Sequence, residues 1–219
     1  MILEAAAGSN FSEAVAGKNE MTAQLREKNY QMLAGEDTVT VLDGQARFIG
    51  EKEIEVTGPA GKQVFKGDRI FINTGASPVL PPVPGLKESK KRLDSTEAMD
   101  LTDLPKELLI LGAGYIGLEF AAMFANYGSQ VTVLDHSPEF LPREDDDIKA
   151  AVKADLERAG VKFILGADVE KVSDQADKVV VDYQLGEAKL TASADKILVA
   201  AGRRANTADL NLPAAGVET

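Results

Sequence analysis

The chain has 219 residues, with 24 Lys+Arg against 35 Asp+Glu and a formal charge of −11. That balance argues against a surface that holds nucleic acid or anionic lipid by bulk charge, so neither nucleic acid nor a membrane is expected as a partner. With no Cys and a single His, His136, the residues present exclude disulfide frameworks, thiolate metal sites, cysteine nucleophiles, His-rich metal clusters and a Ser-His-Asp triad. No catalytic residue and no metal site is therefore expected among them. Hydrophobic residues at 44% and charged residues at 27% are the composition of a globular chain that buries a core, in one large domain or two modest ones. Met1-Ile2-Leu3 runs straight into Glu4 without a basic n-region, and a soluble, cytoplasmic location is expected.

Leu3–Leu33 reads as a helix closed by Gly35, with a charged, long-chain second half. Alternating apolar and polar residues then predict short strands at Val39–Leu42, Ala46–Ile49, Glu53–Val56, Gln63–Lys66 and Ile70–Asn73, separated by turns such as Asp43-Gly44. Four of the nine prolines, Pro78, Pro81, Pro82 and Pro84, precede a Lys/Ser-rich patch, and the stretch reads as an extended connector between packed units. Strand and helix then alternate: Leu108–Leu111, Gly114–Tyr127, Gln130–Leu134, Asp145–Ala159 and Val161–Leu165. This is the pattern of a parallel sheet with helices on its faces. Short strands follow at Glu170–Ser173, Lys178–Tyr183 and Lys189–Ala192, and a last apolar run, Lys196–Ala200, leads into Ala201-Gly202-Arg203-Arg204. The apolar stretch Leu108–Ala125 contains Glu119 and three glycines and falls short of the ~20 residues of a membrane span.

Gly112-Ala113-Gly114-Tyr115-Ile116-Gly117 matches G-x-G-x-x-G directly after a strand and at the start of a helix whose apolar residues recur at helical spacing. In a dinucleotide fold the first glycine allows the tight turn, the second lets backbone amides approach a pyrophosphate, and the third permits close helix–strand packing. The next strand ends at Asp135, which can accept hydrogen bonds from both hydroxyls of an adenosine ribose. Its charge repels a 2′-phosphate, and no Arg follows before Arg143, so NADH is favoured over NADPH. His136 could contact adenosine, but a solvent-facing position at the strand end is the simpler expectation. Glu144-Asp145-Asp146-Asp147 suits the first turn of a helix better than a metal. Glu119 lies one turn into the binding helix among apolar residues, where either a structural salt bridge or a role toward the cofactor would account for it.

Together these residues resemble the flavoprotein pyridine nucleotide-disulfide oxidoreductases, the family of glutathione reductase, dihydrolipoamide dehydrogenase and mercuric reductase. The likeness rests, in family order, on Gly44–Phe48; on Asn73–Pro78 with Pro82–Gly85; on Asp94-Ser95-Thr96; on Gly112–Glu119; and on Ala201–Arg204. Phe71–Ala76 and Phe140–Asp145 look most like the reactive-chlorine-resistance and hypothiocyanous acid reductase subgroup.

The resemblance implies an α/β fold with a Rossmann-like dinucleotide-binding domain, a parallel sheet and a small β-meander, plus a partial FAD-domain remnant. It implies residues 1–93 as that remnant and a connector, residues 94–213 as the NAD(P)-binding domain, and residues 214–219 as the start of the return to the FAD domain. Gly112, Gly114, Tyr115, Ile116, Gly117, Glu119, Asp135 and Gly202 would serve NAD. Tyr115 would match the aromatic gate over the flavin, and Glu119 would orient the carboxamide. Ala46, Thr74 and Gly75 would lie along FAD in a roughly twofold longer, homodimeric protein that also supplies the glycine loop for FAD and the C-x4-C disulfide. There, hydride passes from NADH to FAD and electrons pass on to the disulfide and its substrate. The present residues alone are expected neither to bind FAD stoichiometrically nor to turn over. A flavin NADH oxidase or peroxidase using one cysteine, and a non-catalytic dinucleotide-binding module, remain alternatives.

Overall fold

The structure, a computed structural model, describes residues 10–218. They pack as two compact units. One holds the described residues up to Asn19 together with Pro78–Arg203, and the other holds Glu20–Ser77 and the residues from Arg204 onward. The Leu3 end of the first predicted helix lies outside the described residues, and the rest forms α1 (Phe11–Ala34). Phe11 packs in the first unit, with its ring centroid 5.7 Å from that of Phe124 and 5.3 Å from that of Tyr127.

The second unit is organised on three antiparallel strands, β1 (Gln45–Gly50), β2 (Glu53–Gly58) and β3 (Gly61–Lys66). Buried Phe48 of β1 packs with Leu210 and Leu212 of two short 3₁₀ turns, and Asn211 Nδ2 donates to the Phe48 carbonyl at 2.8 Å. On the open face Glu55 accepts from Arg47 Nε at 2.9 Å and Lys62 Nζ at 3.3 Å, and Arg47 chiefly holds its carboxyl below the usual carboxylate range. Two predicted strands do not form. Val39–Leu42 and Ile70–Asn73 have the right alternation, but among the described residues no strand pairs with either, and Phe71 is 88% exposed. Alternation describes a surface suited to a sheet; without a neighbour to supply ladder hydrogen bonds it stays irregular.

In the first unit β4 (Ala76–Pro78) ends as the chain enters, and β5 (Arg92–Leu93) precedes α2 (Ser95–Met99). Asp94 caps α2 through the N–H groups of Thr96 and Glu97, each at 2.8 Å, while the Glu97 carboxylate accepts the Asp94 N–H. The proline-rich stretch expected to connect packed units is itself packed. Leu86 is fully buried, Val172 donates its N–H to the Pro84 carbonyl at 2.8 Å, and a Cβ on Gly85 would lie 1.9 Å from the Val172 oxygen.

The alternating region follows the sequence closely: β6 (Glu107–Leu111), α3 (Tyr115–Asn126), β7 (Gln130–Asp135), α4 (Asp146–Arg158) and β8 (Lys162–Leu165). An antiparallel meander, β9 (Ala167–Gln175), β10 (Lys178–Leu185) and β11 (Ala188–Ala194), then leads to β12 (Lys196–Val199) and, at the exit from the unit, β13 (Arg203–Ala205). The sheet is wholly parallel in the order β5-β12-β6-β7-β8. Its two faces are read off alternate residues. Leu108 and Ile110 of β6, Val131 and Val133 of β7 and Leu198 of β12 pack against Phe120, Ala121 and Phe124 of α3. Leu109, Leu134, Ile197 and Val199 pack against Val172, Val179, Val181 and Tyr183 of the meander. A strand buried on both faces needs an unbroken apolar run, which is what Leu108–Leu111 supplies. The apolar stretch Leu108–Ala125 is thus β6 followed by α3. No helix among the described residues is long and apolar enough to cross a membrane.

At the opposite edge of the layers Lys178 Nζ of β10 donates to Asp195 at 2.6 Å and to Glu107 at 2.8 Å, while Asp195 also accepts the Glu107 N–H at 2.9 Å. The Asp195 hydrogen bond chiefly raises the Lys178 pKa, and the Lys178 hydrogen bond chiefly lowers that of Asp195. A lowered carboxylate stabilises above its unfolded value of about 3.9 and loses that as pH falls through the folded value. A raised lysine stabilises below its unfolded value of about 10.4 and loses that as pH rises through the folded value. Lys178→Met is accordingly expected to lower Tm at neutral pH, by an amount that shrinks below about pH 4 and above about pH 10. Thermal melts of both proteins across that range check it; a pH-independent difference would place the effect in packing alone.

Candidate functional site

In a parallel sheet, binding crevices open at the carboxyl ends of strands where successive connections leave in opposite directions. Here β6 connects through α3 to β7 on one side, while β12 lies on the other, so the switch falls between β6 and β12. A cleft of about 610 Å³ opens there, lined among others by Gly112, Gly114, Tyr115, Ile116, Asp135 and Gly202. Six of the eight residues expected to serve NAD are thereby brought to one cavity.

The glycines of the turn do different things. Gly112 adopts φ 110°, donates its N–H to the Leu134 carbonyl at 2.8 Å, and would place a Cβ 2.5 Å from the Ala200 oxygen. Gly117 is buried, and a Cβ there would lie 2.0 Å from the Gly112 oxygen. Gly114, the N-cap of α3, has φ −76° and ψ 176°, a backbone any residue adopts, and a Cβ there would meet nothing within 4 Å. The fold therefore requires glycine at 112 and 117 but not at 114, where its effect is to keep the cleft open. Among the described residues no acceptor meets the N–H groups of Gly114, Tyr115, Ile116 or Gly117. Unpaired amides at the positive end of a helix suit an anion such as a pyrophosphate.

Asp135 ends β7 with its side chain 13% exposed. Its carboxylate already accepts two backbone N–H groups, Ala113 at 2.5 Å and Ser137 at 2.7 Å. His136 beside it is solvent-facing, its side chain 88% exposed. A smaller cleft of about 380 Å³ shares Gly114, Tyr115, Asp135 and His136 and adds Arg143 and Glu144, which spacing alone had set apart from Asp135. Of the acidic run, Asp145 is the N-cap of α4 and Asp146 and Asp147 occupy its first turn. Glu144 instead accepts the hydroxyl hydrogen of Tyr115, which pushes the Tyr115 phenol above its ordinary pKa. Lys149 steadies the same loop through Glu139 at 2.6 Å, and that hydrogen bond is the main reason its own pKa is raised. The Asp135–Ser137 contact is an Asx turn, which Asp-x-Ser-Pro could have signalled; the Tyr115–Glu144 pair, 29 residues apart, carries no local signal.

Glu119 is exposed on α3 between buried Leu118 and Phe120, and no ion pair involving it is found among the described residues. The apolar surroundings expected from its sequence neighbours lie on the other face of the helix. Ala46, Thr74 and Gly75 belong to the second unit. Ala46 is half-buried on β1, Thr74 Oγ1 donates to the Asn206 carbonyl at 2.7 Å, and the Gly75 carbonyl, at a residue with φ 72°, accepts the Asn206 N–H at 3.0 Å. Asn206 thus organises this segment, a role no sequence motif announced.

A glycine turn at a sheet's switch point, open helix amides and an acidic residue ending the next strand define a protein of the doubly wound, Rossmann-like α/β class. The model of the pyridine nucleotide-disulphide oxidoreductase family matches residues 2–219, and the chain belongs to that family. It is 42% identical over 217 residues to the probable pyridine nucleotide-disulfide oxidoreductase RclA of Escherichia coli, covering 99% of this chain and 48% of that protein. It is 34% identical over 218 residues to a mercuric reductase of Lysinibacillus sphaericus, covering 99% of this chain and 39% of that one. The solved structure of the HOCl-induced flavoprotein disulfide reductase RclA from Escherichia coli superposes with a TM-score of 0.86 at 42% identity, over 96% of this chain and 47% of that one. The chain spans between about a third and a half of the length of the curated relatives it matches.

Proposed function

We propose that the chain is the NADH-binding portion of a flavin-dependent disulfide oxidoreductase. The observation that carries this reading is Gly114, a glycine that neither backbone angle nor packing demands, set at the mouth of open helix amides. The amides of Tyr115 and Ile116 would hold the pyrophosphate, Asp135 would face the adenosine ribose, and Gly202, with φ 110° beside the cleft, would border the nicotinamide. The bound nucleotide supplies a hydride; these residues bind it, orient it and screen it by charge. Ala46, Thr74 and Gly75 would contribute to a flavin site that these residues do not complete.

Each Asp135 oxygen keeps a second lone pair after accepting its backbone N–H, so a ribose hydroxyl can still be accepted while a 2′-phosphate is repelled. Calorimetric titration is expected to show NADH binding about tenfold more tightly than NADPH or better. Asp135→Arg should move the ratio of the two affinities toward NADPH. Equal affinities, tighter NADPH, or no binding of either would overturn the reading. Glu119, exposed and without an ion pair among the described residues, is read as a cofactor-orienting residue rather than a fold requirement. Glu119→Gln should therefore leave the melting temperature of the chain nearly unchanged; a fall of several degrees would assign it a structural role instead.

A further inference from the structure

We propose that Asp135 is a positioning residue that braces the glycine turn, in addition to any contact it makes with a ribose. The turn between β6 and α3 is held from the side by two consecutive residues of β7. Leu134 accepts the Gly112 N–H through its carbonyl at 2.8 Å, and Asp135 accepts the Ala113 N–H through its carboxylate at 2.5 Å. The second Asp135 oxygen accepts the Ser137 N–H at 2.7 Å, which fixes the carboxylate plane. Its side chain is 13% exposed, so the brace is sheltered from competing water.

The alternation of donors makes the role chemical rather than merely spatial. Ala113 is itself buried between Gly112, whose φ of 110° aims the turn, and Gly114, which opens α3. If the Ala113 N–H were released, it would be a buried donor without a partner, and the peptide planes on either side would be free to rotate toward another acceptor. The Gly114, Tyr115 and Ile116 amides ride on that peptide. Their aim at an anion is thus set by a carboxylate 22 residues further along the chain. Backbone donors are worth most to a ligand when no rearrangement is needed to present them. A neutral amide cannot substitute for the carboxylate: Asn offers one acceptor oxygen where two N–H groups must be met, and its own N–H₂ would face the other donor.

The inference rests on the reading of the cleft as a pyridine-dinucleotide site, and its test separates the two. For Asp135→Asn, dissociation constants are measured for NADH, NADPH and an NADH analogue whose adenosine ribose lacks both hydroxyls. A brace predicts that the analogue weakens by about tenfold, because the loss lies at the pyrophosphate; NADH weakens at least as much, losing its ribose contact as well, and NADPH weakens less, because the repulsion of its 2′-phosphate is relieved. A residue that acts only through the ribose leaves the analogue unchanged, and that result overturns the proposal while sparing the function reading. Amide hydrogen exchange on the unsubstituted, ligand-free chain gives a second measurement, which stands even if the variant fails to fold or no nucleotide binds. The Ala113 amide is expected to exchange at least about a hundredfold more slowly than the Gly114 amide. Equal rates at the two positions overturn the brace.

Discussion

Gly117→Ala is expected to abolish tight NADH binding and to destabilise the first unit at the same time, whereas Gly114→Ala should do only the former. The Cβ of an alanine at 117 would sit 2.0 Å from the Gly112 oxygen and 3.2 Å from its carbonyl carbon. Both are backbone atoms and cannot rotate away, so either α3 lifts off the sheet or the turn opens. Overpacking of this kind costs about 1–3 kcal/mol. A shift of about 1 Å in a preorganised site costs on the order of a hundredfold in function. At 114 the same methyl meets nothing within 4 Å, so Tm should be unchanged while the methyl occupies space the pyrophosphate needs. Thermal melts and NADH titrations of the pair check this. Gly114→Ala binding NADH as tightly as the unsubstituted chain would mean that the cleft mouth is not the anion site.

The pair also shows what kind of information the sequence carries. G-x-G-x-x-G states that three glycines stand at those spacings; only the surroundings of each reveal which serves the fold and which leaves room. The β6-α3-β7-α4-β8 run was legible because both periodicities are strong there and because an all-apolar run such as Leu108–Leu111 suits a strand covered on both sides. Val39–Leu42 and Ile70–Asn73 misled because alternation reports a residue's fitness for a sheet and not the presence of a partner strand.

Glu119 misled in a related way. Its neighbours in sequence, Leu118 and Phe120, are buried, but successive residues of a helix point about 100° apart, and the stripe Gly117, Ala121 and Phe124 defines the inner face. Leu86 is fully buried, yet Val79, Leu80, Val83 and Leu86 are broken up by prolines and show neither a helical nor a strand period. Asp135 was legible as an acidic residue at the right distance from the turn. Its Ala113 partner was not, because that contact depends on how two parallel strands are registered: Ile110 lies opposite Val133 and Leu111 opposite Leu134, which brings the end of β7 level with the turn after β6.

Truncating Phe124 to alanine is expected to produce a loss of stability on the scale of about 3–5 kcal/mol, the usual cost of emptying a fully buried phenylalanine site. Phe124 is 0% exposed, near the end of α3, with the Phe120 ring at 6.2 Å and the Phe11 ring at 5.7 Å between centroids. It packs on the same sheet face as Leu108, Ile110, Val131 and Val133, all rigid strand residues with little freedom to close a void. For a chain of this size the loss corresponds to a fall in Tm of about 10 °C. Because the chain has two compact units, unfolding followed by two probes can resolve two transitions, and only the one belonging to the unit that contains Phe124 should move. Phe124→Leu, which keeps most of the volume, should cost far less. The glycine turn sits at the other end of the same helix, so Phe124→Ala protein that remains folded on cooling should recover NADH binding, unlike Gly117→Ala. A stability change below about 1 kcal/mol would mean that α3 is not anchored through this ring.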